Sequence, residues 1–172
     1  GSVFEFNPVK STDFQLFSPT STYTDDTVLT IAVADAFMEE FDLAATLKEY
    51  TRMDPERGYG GRFMQWVHTE STAPYNSFGN GSAMRVSPIG FACDSEDEVL
   101  EKAQWSAAVT HNHAEGIKGA QAVALAIFLA RKGNDKENIR KEISQRFHYD
   151  LNRTLDQIRP GYAFCETCPG SV

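Results

Sequence analysis

Glu115-Gly116-Ile117-Lys118-Gly119-Ala120-Gln121-Ala122-Val123-Ala124-Leu125-Ala126-Ile127-Phe128-Leu129-Ala130-Arg131-Lys132 decides the fold. The stretch is rich in alanine and leucine, the best helix formers. From Ala120 to Ala130 only Gln121 is polar, so the apolar residues cover every face of a helix rather than one stripe. A helix of that kind is surrounded by other elements of a protein or by lipid. Its apolar run falls short of the roughly 20 residues a bilayer needs, so the surroundings are protein. Gly133 follows as the C-terminal stop.

Working outward, each neighbouring segment also reads as helix. Downstream, Asn134 or Asp135 opens a helix with Ile139, Ile143 and Phe147 on one face, and Thr154 to Ile158 forms a short helical turn before Pro160. Upstream, Ser95-Glu96-Asp97-Glu98 is a capping box leading into Val99, Leu100, Ala103 and Ala107. Ala83 to Val86 begins a helix after a glycine-rich loop, and Phe63, Met64, Trp66 and Val67 suit a short one after the turn Gly58 to Gly61. Leu43, Leu47 and Tyr50 recur at helical spacing in a segment that stops at Met53, before Pro55. Val28, Leu29, Ile31, Ala32, Val33, Ala36 and Phe37 make another buried helix, ending near Glu40, with Thr and Asp at its start. About six or seven helices and no period-2 strands are predicted, in an all-α single domain over residues 1–172. The loops 1–22, 76–82 and 111–114 are the places to look for a site.

Composition narrows the function classes. Of 172 residues, 41% are hydrophobic and 23% charged, the balance of an ordinary globular domain. The formal net charge is −8, which argues against a nucleic-acid surface, where Lys and Arg must replace counterions. An acidic protein that binds phosphates screens its own carboxylates, and a bound cation is the usual means. The N-terminus has neither a basic region nor an apolar signal core. With that, an odd cysteine count (Cys93, Cys165, Cys168) predicts reduced thiols and a cytoplasmic protein. Cys165 and Cys168 form a lone C-x-x-C with no second pair, so a zinc site there lacks ligands and a pair of plain thiols is the favoured reading.

Four features could carry chemistry. Thr24-Asp25-Asp26-Thr27 concentrates hard oxygen donors of the kind that suit Mg²⁺ or Mn²⁺. Acids and hydroxyls at a helix start also follow from capping and the macrodipole alone. Ser77-Phe78-Gly79-Asn80-Gly81-Ser82 is a loop whose small residues let backbone N–H groups approach a phosphate, although taken alone a plain turn is the favoured reading. His111-Asn112-His113-Ala114-Glu115 reads as a metal pair, a helix cap or a ligand contact. Glu5, between Phe4 and Phe6, is a carboxyl that partial desolvation would suit to acid–base work, or a solvent-facing loop residue.

The order of these motifs adds what none carries alone. Gly1-Ser2-x-x-Glu5, then Thr24 to Thr27 opening an apolar helix, then Gly79-Asn80-Gly81-Ser82-Ala83-Met84-Arg85, then Thr110-His111 before an alanine-rich helix, resembles the ADP-ribosylglycohydrolase family over nearly the whole chain. The resemblance implies an all-α hydrolase that uses two Mg²⁺ ions, with Mn²⁺ as the substitute, to cleave the glycosidic bond of ADP-ribose attached to a protein side chain or small molecule. It implies Thr24, Asp25 and Asp26 as metal ligands, and Glu5, Asp25 and Asp26 as catalytic. It places Ser77, Phe78, Gly79, Asn80 and Gly81 around the diphosphate, with His111 and Tyr162 close to the ligand. It also implies a Gly-rich helix before Gly1 and a Gly-Asp-x-Asp-Thr segment after Val172, so the chain reads as most of a family domain without its N-terminal helix start and C-terminal metal-ligand segment. The expected partners are an ADP-ribosylated protein or an ADP-ribose-containing small molecule, with no nucleic acid and no membrane. Self-association or a complementing C-terminal fragment is expected to cover apolar surface. A non-catalytic ADP-ribose-binding or structural relative is the alternative reading. Another helical metallohydrolase acting on phosphate esters fits the glycine loop but not the ordered motif set.

Overall fold

The computed structural model describes residues 3, 4, 9, 11 and 13–158. Among these the chain is helical and contains no β-strand. The helices are α1 (Asp25–Met38), α2 (Leu43–Met53), α3 (Gly61–Val67), α4 (Gly81–Met84), α5 (Ser87–Ala92), α6 (Glu96–Ala108), α7 (Ala114–Arg131), α8 (Lys136–Phe147) and α9 (Leu155–Ile158).

The alanine-rich segment is α7, and it is the axis of the fold. It packs against α4, α5, α6 and α8. Its residues Ala120, Ala124 and Leu125 are fully buried in one core with Val33 of α1, Leu47 of α2, Val67 of α3, Ile89 of α5 and Val99 and Ala103 of α6. Helices α1 and α2 pair with each other, and α1 leans on α4 and α5. The tightest approach is at Gly90: a Cβ there would lie 2.6 Å from the carbonyl oxygen of Ala124 and 2.8 Å from Ile127 Cβ. A glycine is what lets α5 sit directly on the α7 backbone.

The helix starts follow from local chemistry. Asp42 and Asp135 accept from the N–H of Ala45 and Asn138 at 2.7 and 2.8 Å. Ser95 accepts from Glu98 N–H at 3.2 Å, while the Glu98 carboxylate reaches back to Asp94 N–H at 2.9 Å, one residue before the cap. Helix α1 begins at Asp25, so both carboxylates lie in its first turn, at the helix start where the sequence reading put them. The segment after the glycine loop is not one helix start but two short helices, α4 and α5, divided at Arg85 and Val86 with Pro88 in the first turn of α5. Proline has no N–H to give to a continuing helix, so it resets the chain direction there.

Candidate active site

The acidic turn is held from behind. Thr24 adopts extended backbone as N-cap of α1 but its side chain caps nothing. Its hydroxyl instead donates to Asp26 Oδ2 at 3.0 Å, and Asp25 Oδ1 accepts from Asp26 N–H at 3.0 Å. The backbone N–H of Asp25 donates to the carbonyl of Arg57 at 2.8 Å, tying the turn to the α2–α3 connection. That connection is braced by side chains. Arg57 Nε pairs with Asp54 Oδ1 at 2.8 Å, Tyr23 Oη donates to Asp54 Oδ2 at 2.7 Å, and the Arg57 guanidinium lies 4.0 Å from the Tyr23 ring centroid. These bonds from Arg57 and then Tyr23 hold the Asp54 carboxyl below its ordinary value. Tyr59, whose hydroxyl donates to the Asp54 carbonyl, is pushed up to about 12, first by burial and further by the charges of Asp54 and Asp25. Thr24 and Asp25 are half-buried and Asp26 is exposed.

The glycine loop is built against the start of α7. Ser77 N–H donates to the Thr110 carbonyl, Asn76 N–H to Asn112 Oδ1 at 2.8 Å, and Ser82 Oγ to the Gly116 carbonyl at 2.8 Å. Ser77 Oγ accepts from Gly79 N–H at 3.2 Å, folding the loop on itself. A Cβ on Gly116 would lie 2.8 Å from the Ser77 carbonyl oxygen, and one on Gly81 would lie 3.2 Å from both Cε1 and Nε2 of His111. Two glycines therefore admit the close contact of loop, histidine and helix start. The side chain of Phe78 is exposed, its ring 5.5 Å from that of His113.

The two histidines separate by role. His113 is the N-cap of α7, its Nδ1 accepting from Glu115 N–H at 3.1 Å. His111 is buried and bonded through Nδ1 to Thr110 Oγ1 at 2.7 Å. Burial, then the charges of Arg85 and Arg62, push its pKa down to about 3, so the imidazole is neutral at any physiological pH. Tyr75 stacks at a tilt 6.3 Å from it, carries the Arg62 guanidinium 5.2 Å from its ring, and continues to Trp66. Sequence reasoning passed over Tyr75, Arg62, Arg57 and Tyr59. Their only signal was aromatic and basic residues in turns beside the motifs. Glu5 and Tyr162, and with them Cys165 and Cys168, lie outside the described residues.

The acidic turn sits on α1 and the glycine loop runs into α4, and these helices are in contact. Among the described residues no cluster of three or more His, Cys, Asp or Glu side chains surrounds a common point. Thr24, Asp25 and Asp26 are three oxygen-bearing side chains of the hard type a magnesium ion prefers, against the about six oxygens it takes, several of them commonly water. Their chemistry fits part of such a shell. A groove of about 520 Å³ lies elsewhere, between α2 and the turn after α3, lined by Lys48, Arg52, Met53, Thr69 and Glu70. There Lys48 Nζ donates to the carbonyls of Thr69 and Ser71, which makes it a clamp on that turn.

Fold and site together define an all-helical protein with a carboxylate turn and a glycine loop on touching helices. The chain belongs to the ADP-ribosylglycohydrolase family, whose family model matches residues 1–166. It is 35% identical over 130 residues to ADP-ribosylhydrolase ARH3 of Mus musculus, covering 64% of this chain and 35% of that protein. It is 33% identical over 141 residues to the Homo sapiens protein of the same name, covering 70% and 39%. An uncharacterized protein of Archaeoglobus fulgidus is 30% identical over 150 residues, covering 80% and 49%. The matches thus span between about a third and a half of these relatives' length. No helix among the described residues is long and apolar enough to cross a membrane.

Proposed function

We propose that the protein carrying this chain is a magnesium-dependent hydrolase that cleaves the glycosidic bond of ADP-ribose attached to a protein side chain or a small molecule, acting in the cytoplasm. The observation that carries the reading is that α1, the helix opened by the carboxylate turn, packs against α4, the helix that the glycine loop enters. The family match and the naming of the relatives as ADP-ribosylhydrolases support it. Thr24, Asp25 and Asp26 are the side chains that would hold Mg²⁺, with Mn²⁺ as a substitute. Such an ion, when bound, supplies charge neutralisation and polarisation at ribose oxygens. The Ser77–Gly81 loop would take the diphosphate, its small residues allowing a close approach of backbone to phosphate. His111 offers a ring donor or acceptor that stays uncharged near neutral pH. Glu5, by the resemblance, would move the proton at the scissile bond, where an oxocarbenium-like transition state is expected.

The second reading is an ADP-ribose-binding relative without hydrolysis. It is favoured by the donor count, because the described acidic turn offers only part of an octahedral shell. The test is release of ADP-ribose from a modified protein by the full-length protein, with Mg²⁺ and with EDTA, for wild type and Asp25→Asn. Release that requires Mg²⁺ and is lost in the variant supports hydrolysis. Tight ADP-ribose binding without turnover supports the second reading, and activity indifferent to both EDTA and the substitution removes the metal mechanism.

A further inference from the structure

Arg85 is the largest side chain in the described structure that is wholly buried. Its guanidinium stands at the C-terminal end of α6, where Nη2 donates to the Ser106 carbonyl at 2.8 Å and to Thr110 Oγ1 at 3.0 Å. Among the described residues its Nε has no hydrogen-bond partner and no carboxylate pairs with the guanidinium. The negative end of α6 offsets the charge only in part. Burial pulls the guanidinium pKa down to about 10. A buried cation with only neutral partners is costly. Capping α6 is therefore an incomplete account of what this arginine does.

The Thr110 hydroxyl links it to the site. That oxygen receives the Arg85 hydrogen bond and lies 2.7 Å from His111 Nδ1. Arginine has no acceptor, so the single Thr110 proton cannot turn toward it. Among the described residues the hydroxyl's other partner is His111 Nδ1, which receives the Thr110 proton when it is the unprotonated ring nitrogen. A neutral imidazole that accepts at Nδ1 carries its proton on Nε2. Nε2 faces Gly81 together with Cε1, each 3.2 Å from where a Cβ would stand. The titratable and charged groups facing the ring from its surroundings are Arg85, Arg62 from α3 and Tyr75.

We propose that Arg85 and Thr110 are positioning residues: a directed chain, Arg85 Nη2–H to Thr110 Oγ1, Thr110 O–H to His111 Nδ1, fixes the His111 proton on Nε2 and aims that donor at the ligand in the Gly79–Gly81 loop. This rests on the ADP-ribose reading for the identity of the ligand but not for the proton arrangement. The chain predicts an uncharged N–H donor to an anionic ligand, with strength independent of pH between about 5 and 8.

The test is the ¹⁵N spectrum of the His111 ring in the full-length protein, beside ADP-ribose affinity, for wild type, Thr110→Val, Thr110→Ser and Arg85→Gln. Wild type is expected to show a protonated Nε2 and an unprotonated Nδ1 from pH 8 to 5. Thr110→Val should lose the fixed tautomer and weaken ADP-ribose binding roughly tenfold, the worth of about one hydrogen bond. Thr110→Ser should restore both. Arg85→Gln keeps a donor without the charge, so His111 should begin to titrate at higher pH while its tautomer persists. A proton on Nδ1 in wild type, or a tautomer unchanged in Thr110→Val, overturns the proposal, as does ADP-ribose affinity equal in wild type and Thr110→Val. A fixed Nε2–H tautomer in a wild-type protein that does not bind ADP-ribose supports the relay and overturns the ligand reading instead.

Discussion

His111 ties stability to pH. Its folded pKa of about 3 lies below the ordinary 6.5, so between those values the unfolded chain takes up a proton that the native site refuses. Stability from this residue is complete above about pH 6.5 and falls as the pH drops toward 3, with a slope of about 1.4 kcal/mol per pH unit. Urea denaturation of wild type and His111→Gln at pH 7, 6 and 5 checks this: the gap between them should close as the pH falls. A gap constant with pH would mean that the imidazole is not held neutral. At the same ring, Gly81→Ala places a methyl 3.2 Å from Cε1 and Nε2. The expected result is a shift of the ring, about 1 kcal/mol or less in stability, and a clear loss of ADP-ribose affinity by calorimetry. The importance of the glycine was legible in the sequence, but its reason was not. The motif suggests space for a phosphate, whereas the packing adds space for an imidazole contributed from 30 residues downstream, at position 111.

At the scale of elements, α5 on α7 is the contact least able to yield. Gly90→Ala would put a methyl 2.6 Å from the Ala124 carbonyl oxygen, a backbone atom that cannot rotate away. We expect a destabilisation of about 1–3 kcal/mol in thermal or chemical unfolding, against little effect at Gly60 or Gly61, where an added Cβ meets nothing within 4 Å. The α2–α3 connection makes a different prediction. Tyr23 is exposed, and Arg57 and Asp54 are half-buried at the surface, so Arg57→Ala should change global stability little. It should nonetheless raise hydrogen exchange at Asp25 N–H, because the Arg57 carbonyl that accepts that bond loses its bracing. Unchanged exchange there would show that the backbone alone holds the acidic turn. Sequence periodicity located α1, α2, α6, α7 and α8 because each carries an apolar or capped signature long enough to read. It missed the division into α4 and α5, where helices of four and six residues leave too few turns for a period to show.

At the scale of the molecule, the described surface keeps large apolar side chains in view. Ile31 is 52% and Met38 73% exposed, seven residues apart on one face of α1, and Phe17 is 75% exposed. A shared apolar helix face such as that of Ile31 and Met38 is a surface that a partner or a second copy can cover. This chain, expressed alone, should bind a hydrophobic dye and self-associate, and Ile31→Gln with Met38→Gln should reduce both without loss of helix content, since neither side chain is in the core. A dye-silent monomer on size-exclusion chromatography would refute this.

The sequence by itself determined the all-α class, the central burial of the Ala120–Ala130 stretch and the family, because helical period, capping and ordered motifs are local patterns along one chain. Only the tertiary structure decided that Arg85 is buried with no carboxylate beside it among the described residues, that Thr110 joins it to His111, and that Arg57 anchors Asp25. An arginine in a sequence reads as surface, since isolated charge is costly to bury. Whether a carbonyl at the end of a helix and a hydroxyl one residue before a histidine stand ready to receive it depends on how α4, α6 and α7 pack, which no local pattern encodes.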